Sequence, residues 1–306
     1  MKIAIPVLGF LFVCLFILCS IDISRLRAEI LSASIPWLIA AFGITATQPF
    51  LTSLRLYIYL RAGGQQKPYT LCVKAGLAAS SLNAVLPAKG GDLVKVTFMM
   101  KSRDELQPLA GLTLLERFFD ILILCLFALA GSIFIGNETT TLLSCMALCA
   151  PVGAILLLGK ASEVPLVGKK LFRLSEACRQ AFKSPVMVLR GCLIACVCWG
   201  TNLAVMFCLF KAVGAGVNFP SIAASTPLAI FIGLLPVSIS GMGTRDAALA
   251  YLTPGVPNEV VYAATFLYTA AVYWLLALFG LAFLGKQVLA MTMSRTQECK
   301  GILKDK

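Results

Sequence analysis

Apolar runs long enough to cross a bilayer follow one another along most of this chain, and no other feature restricts its fold so strongly. A spanning helix needs about 20 mostly apolar residues. Six segments qualify: 3–21, 34–52, 109–135, 141–159, 187–210 and 259–284. Of the 306 residues, 59% are hydrophobic and 13% charged; a soluble domain averages about 45–50% and 25%. No soluble block separates the runs, so the chain reads as one integral membrane domain over 1–306.

Two further apolar segments, 70–100 and 221–253, are broken in the middle by Pro, Gly and charge. Cytoplasmic connections of membrane proteins are rich in Lys and Arg. Here the basic connections are 55–74, with Arg55, Arg61, Lys67 and Lys74, then 160–190, and the tail 286–306. The loops 22–33, 136–140 and 211–220 lack that excess and read as external. Counting crossings from a cytoplasmic N-terminus, 70–100 must start and finish inside, and 221–253 must start and finish outside. The order span, span, hairpin, span then occurs twice with opposite orientation. The expectation is an all-α polytopic membrane protein, with six full spans plus two re-entrant or broken-helix hairpins in an inverted repeat of about 1–140 and 141–285. Both termini are expected in the cytoplasm and the chain in the cell inner membrane. The rival architecture is eight ordinary spans with each hairpin made of two short helices. Broken segments at matching places in two halves point to a transporter's substrate site.

The net charge of +12 is explained by basic loops, so nucleic acid is not expected as a partner. With no histidine, Ser-His-Asp, Cys-His and histidine-relay chemistry are excluded. Cysteines such as Cys14, Cys125, Cys145 and Cys208 sit in apolar runs, where cysteine acts as a small hydrophobe. No metal set and no cofactor is expected. No Gly-x4-Gly-Lys-(Ser/Thr) loop is present, so this chain does not use ATP. The N-terminal run is expected to remain as an uncleaved first span.

The charges cluster at the hairpins and at one span. Lys89, Asp92 and Lys95 follow Pro87 and Gly90–Gly91; Arg245 and Asp246 follow Pro236, Gly241 and Gly243. Helices restarting near Asp92 and Thr244 would present free N–H groups suited to an anionic headgroup. In "GLTLLERFFDILILC", Glu116 and Asp120 share a helix face beside Arg117. Asp120 falls about 16 Å into the span at 1.5 Å per residue. A charge at that depth should face the bundle interior and be paired. Lys89, Arg117 and Arg245 are the candidate headgroup cations, with the carboxylates orienting them or carrying a proton. The competing reading is that these charges are ion pairs pinning hairpins to spans. Asn83 could donate to a headgroup or cap the hairpin. Trp199, Trp274 and the nearby tyrosines read as anchors or packing, and 160–185 as a basic amphipathic helix able to lie on anionic lipid.

At these residues the sequence resembles the flippase-like family named for the transmembrane region of lysylphosphatidylglycerol synthase. The family pattern N-x-x-L-P-x-(R/K)-x-G-E-x-x-(R/K) is matched by Asn83, Leu86, Pro87, Lys89, Gly91, Asp92 and Lys95. Its E-R-x-x-D is matched by Glu116, Arg117 and Asp120, and its L-P-x-(S/T)-x-x-G-x-G-x-R-E by Leu235, Pro236, Ser238, Gly241, Gly243, Arg245 and Asp246. Both family glutamates at the hairpins are aspartates here, one methylene shorter. The aminoacyl-transferring soluble half of the synthase is not expected in this chain. The resemblance implies a translocator for an anionic or aminoacylated phospholipid, or an isoprenoid-phosphate lipid. It implies a substrate site of Asn83, Lys89, Gly91, Asp92, Lys95, Glu116, Arg117, Asp120, Ser238, Gly241, Gly243, Arg245 and Asp246. Membrane lipids are the expected partners, with a separate transferase or a second copy of the chain as further candidates. The rival functions are an intramembrane lipid-modifying enzyme, with one of the carboxylates as acid or base, and a membrane partner subunit of a transferase.

Overall fold

The structure, a computed structural model, describes residues 23–84, 91–160, 165–234 and 241–283. The expected first span and the basic tail lie outside the described residues, as do Pro87, Lys89, Gly90, Pro236 and Ser238. The described residues form helices and turns, with no strand among them. In chain order the helices are α1 (Ile23–Leu31), α2 (Ile35–Ala62), α3 (Tyr69–Asn83), α4 (Asp92–Met99), α5 (Leu106–Ile135) and α6 (Glu138–Lys160). They continue with α7 (Pro165–Phe182), α8 (Pro185–Ala212), α9 (Phe219–Gly233), α10 (Thr244–Leu252) and α11 (Asn258–Thr269), and α11 runs on through a π-helical turn, Ala270–Leu275. Five helical segments are long and apolar enough to cross a membrane: Ile35–Ala62, Arg103–Ile135, Glu138–Leu157, Pro185–Ala212 and Asn258–Phe283.

Each interrupted segment is a pair of short helices. The pair α3 and α4 has 15 and 8 residues, and the pair α9 and α10 has 15 and 9. The long helix before each pair has 28 residues in both cases. Both long helices carry Pro in their first turn, where a missing N–H costs nothing. Both end on a glycine with positive φ, Gly64 at 79° and Gly214 at 74°. In each case the next residue donates back five positions, Gln65 N–H to Leu60 O at 2.8 Å and Ala215 N–H to Phe210 O at 2.9 Å. Only glycine adopts that left-handed turn without steric cost. The chain is thereby turned at once into the shorter helix that follows. α9 is further capped by Asn218, whose side chain accepts the Ser221 N–H at 2.9 Å.

Two apolar cores flank the middle of the molecule. One joins the C-terminal half of α2 to α3, α4, α5 and α7, and the other joins α8 to α9, α10 and α11. Pro49, which has no N–H to donate, sits where α2 passes from one core to the other. α2 and α8 cross with Tyr59 over Gly191, where an added Cβ would stand 2.7 Å from the ring. α5 crosses α9 at Gly131, and the helix following the π turn crosses α3 at Gly280. A Cβ on these glycines would meet Ala224 N at 2.5 Å and Leu77 O at 2.0 Å, respectively. Such close backbone approach is how helices associate where lipid supplies no hydrophobic drive. Large apolar side chains on α5 and α6 point outward, among them Phe134 and Leu157 at 78% and 72% exposure. For a bilayer protein that is the lipid-facing belt.

Three features depart from the sequence expectations. The 22–33 loop contains the helix α1. The second span runs on to Ala62, so Arg55 is not in a cytoplasmic connection but inside a helix, 1% exposed. α7 is the expected amphipathic helix, but Leu174, Ala177, Cys178 and Ala181 pack into the protein core rather than onto lipid.

Candidate functional site

The first hairpin closes because Gly91 has no side chain. A Cβ there would lie 2.5 Å from Ala79 O, so any other residue would force α4 away from α3. α4 then begins at Asp92, with the carboxylate held at the tip of the hairpin. Asp92 accepts from Lys95 Nζ at 3.0 Å, from Asn83 Nδ2 at 3.4 Å, and in a close ion pair from Arg117. Asn83 therefore reaches across the hairpin to the acid rather than capping a helix end.

α5 carries the centre of the network. Asp120 accepts from Arg117 Nη1 at 3.0 Å, from Trp199 Nε1 at 2.6 Å, and from Arg55 in a close ion pair. Glu116 accepts from Arg55 Nε at 2.8 Å and Nη2 at 2.7 Å, both on Oε1. Its other oxygen, Oε2, is buried without a hydrogen-bond partner, and so is Nε of Arg117. Among the described residues the cluster balances three cations, Arg55, Lys95 and Arg117, against three carboxylates, Asp92, Glu116 and Asp120. Pairing of this kind is what makes charges tolerable away from water.

A cavity of about 130 Å³ opens beside this network. It has room for several water molecules. Its lining combines the charged side chains of Asp92, Lys95, Arg117 and Asp120 with Trp199, Ile230, Tyr268 and Tyr273. Arg117 is the cation most open to it, its side chain 22% exposed against 2% for Arg55 and 8% for Lys95. A guanidinium partly open to such a cavity suits a phosphate-like oxygen. The carboxylates are engaged by cations, and among the described residues no group of three ligating side chains could hold a metal.

The second hairpin carries a separate ion pair. Gly241 and Gly243 have φ of 73° and 87°, the conformation that turns the chain into α10. Asp246 Oδ2 accepts the Gly243 N–H at 2.9 Å, so this acid caps its own helix. Its Oδ1 holds Arg245 Nε and Nη2 at 2.8 and 2.6 Å. Arg245 Nη2 also donates to Thr269 Oγ1 at 2.7 Å. The guanidinium lies 4.9 Å from the ring centre of Tyr268 and 6.0 Å from that of Tyr273. Arg245 is 1% exposed and is not on the cavity wall; the two tyrosines that line the cavity cover it.

The profile of the family described as "Lysylphosphatidylglycerol synthase TM region" matches residues 3–280. The chain belongs to that family. The match to the lysylphosphatidylglycerol synthase transmembrane region covers every element described above, both hairpins and both ion-pair clusters included. It assigns a membrane-embedded, lipid-related protein. No curated protein matches the chain.

Of the site residues expected for such a chain, Asn83, Asp92, Lys95, Arg117 and Asp120 line one cavity. Glu116 lies directly behind Arg55. Gly91, Gly241 and Gly243 shape the hairpins, and Arg245 with Asp246 forms the second pair. Lys89 and Ser238 lie outside the described residues. Sequence reasoning missed Arg55, and it took Trp199, Tyr268 and Tyr273 for anchors or packing. A signal for Arg55 was present: Gln48, Thr52, Arg55 and Tyr59 recur at helical spacing. Three of these four, Gln48, Arg55 and Tyr59, are buried.

Proposed function

We propose that this chain moves an anionic lipid between leaflets, its headgroup passing through the cavity beside Arg117 while the tails stay in the bilayer. The lipid is an anionic phospholipid or an isoprenoid phosphate; an aminoacylated phospholipid, whose ammonium offsets the phosphate charge, is the alternative. One observation carries the reading: a cavity of about 130 Å³ among apolar helices, lined in part by the charged side chains of Asp92, Lys95, Arg117 and Asp120. Such a cavity is costly to maintain in a membrane protein unless something polar uses it.

The two halves are proposed to form an inverted repeat around this cavity. Their matched helix lengths and matched Gly64 and Gly214 turns support that. Rocking one half against the other would then expose the headgroup alternately to the two faces. On this reading the chain sits in the inner membrane with its basic connections in the cytoplasm.

Reconstitution in vesicles containing fluorescently labelled phosphatidylglycerol tests this, with a membrane-impermeant quencher reporting which leaflet holds the label. The native protein should accelerate exchange between leaflets. Arg117→Gln, which also takes one partner from Asp92 and one from Asp120, should slow it at least tenfold in protein that still elutes as a single monodisperse peak. Equal rates for the two proteins would remove Arg117 from the headgroup path.

A further inference from the structure

The cavity wall raises a question of charge. Among the described residues its cations and carboxylates balance, so an anionic headgroup adds one negative charge to that set. An unpaired charge there costs at least a few kcal/mol. One proton taken up with the headgroup would cancel it, and the three carboxylates are not equally able to accept that proton. Asp120 is held through both oxygens, by Arg55 and Trp199 on Oδ1 and Arg117 on Oδ2. Asp92 is likewise held through both, by Lys95 on Oδ1 and Arg117 on Oδ2. Protonating either would sacrifice bonds to two or more helices. Glu116 is bound through Oε1 alone, and only by Arg55; its Oε2 is buried with no partner.

We propose that Glu116 is the proton carrier, taking up one proton at Oε2 for each anionic headgroup admitted. The inference rests on the translocation reading and specifies how that movement is coupled. The proton comes from water in the cavity and leaves to water on the far side with the headgroup, so no charge accumulates and no other reactant is needed. Neutral Glu116 loosens its hold on Arg55, whose Nε and Nη2 become free to meet the headgroup oxygen. Arg55 already lies on the cavity wall, between the cavity and Glu116, so the turn that offers Arg55 to the headgroup also opens Glu116 to water.

The other titratable groups around Glu116 do not fit the role. On α2 these are Arg55 and Tyr59, on α3 Cys72, and on α8 Cys198. α5 itself contributes Arg117 and Asp120, α4 contributes Asp92 and Lys95 through Arg117, and α7 brings Cys178 into the same core. The cations among them hold carboxylates, the thiols and the phenol are neutral as ordinary groups, and the two aspartates are engaged as above.

Vesicles of phosphatidylcholine with labelled phosphatidylglycerol, a one-unit pH gradient and the membrane potential clamped at zero provide the test. One proton per singly charged lipid is an electroneutral load, so the native protein should drive the label toward a leaflet ratio of up to tenfold. Glu116→Gln, which imitates the protonated acid, should hold the ratio near one under the same gradient, whatever its rate of exchange. A second measurement uses native protein carrying carbon-13 at the glutamate carboxyls. Lowering the pH should produce an infrared band from a buried protonated glutamate, absent in Glu116→Gln. Native exchange that ignores the gradient, or a Glu116→Gln protein that still concentrates the label, overturns the proton role and leaves translocation standing. No exchange by the native protein at any pH overturns both.

Discussion

Replacing Arg55 by Met removes the cation that ties α2 to α5 and keeps a side chain of similar reach. Asp120 retains Arg117 and Trp199. Glu116 retains no hydrogen bond, only the nearby charge of Arg117, because both bonds to its Oε1 come from Arg55 and Oε2 has no partner. The loss is therefore set by Glu116. Left ionised, a buried charge stripped of its partner costs about 3–5 kcal/mol. If the acid instead takes a proton, the cost at pH 7 is the distance from an ordinary glutamate pKa of about 4.3, or about 4 kcal/mol. Both routes give the same size, and at about 2–4 °C per kcal/mol the melting temperature should fall by roughly 8–16 °C. The measurement is thermal unfolding in detergent, followed by tryptophan fluorescence. Arg55→Met combined with Glu116→Gln should regain most of the loss, since a neutral amide replaces the stranded acid. If Arg55→Met melts within about 2 °C of the native protein, or the double variant melts no higher than the single one, the ion-pair account of this core is wrong.

Other substitutions test other parts of the structure. Trp199→Phe deletes the indole N–H that reaches Asp120 at 2.6 Å; a hydrogen bond to a charged group implies a loss of about 1.5–3 kcal/mol in the same melt. Asp246→Asn strands Arg245 in a buried site and should cost about 3–5 kcal/mol. By contrast Arg173→Ala, at a pair whose side chains are 56% and 81% exposed, should cost less than about 1 kcal/mol. Gly280→Leu would place a Cβ 2.0 Å from the Leu77 carbonyl, and should sharply lower the yield of monodisperse protein. Gly43→Ala, with nothing within 4 Å, serves as the control and should behave as native.

Much of this molecule could be read before its tertiary structure. The long apolar runs specified helices, because in hydrocarbon a chain must satisfy its own backbone. Leu-Pro followed by Gly and Asp marked both broken segments, and the short helices do restart at Asp92 and Thr244. Glu116 and Asp120 were placed on one inward face by their four-residue spacing. Arg55 was misread because a count of loop charges treats a cation near a helix end as solvated, while α2 continues to Ala62.

Hydropathy and spacing are local along the chain, and they were enough to determine the membrane class and the breaks. Partnership is not local. Arg55 meets Glu116 and Asp120 from more than sixty positions away, and Trp199 reaches Asp120 from 79. Which cation answers which acid depends on how α2, α5 and α8 cross, and that is set by close contacts such as Tyr59 over Gly191. Only the folded bundle decided that Arg117 faces the cavity, that Arg245 lies behind Tyr268 and Tyr273, and that one oxygen of Glu116 is left unclaimed.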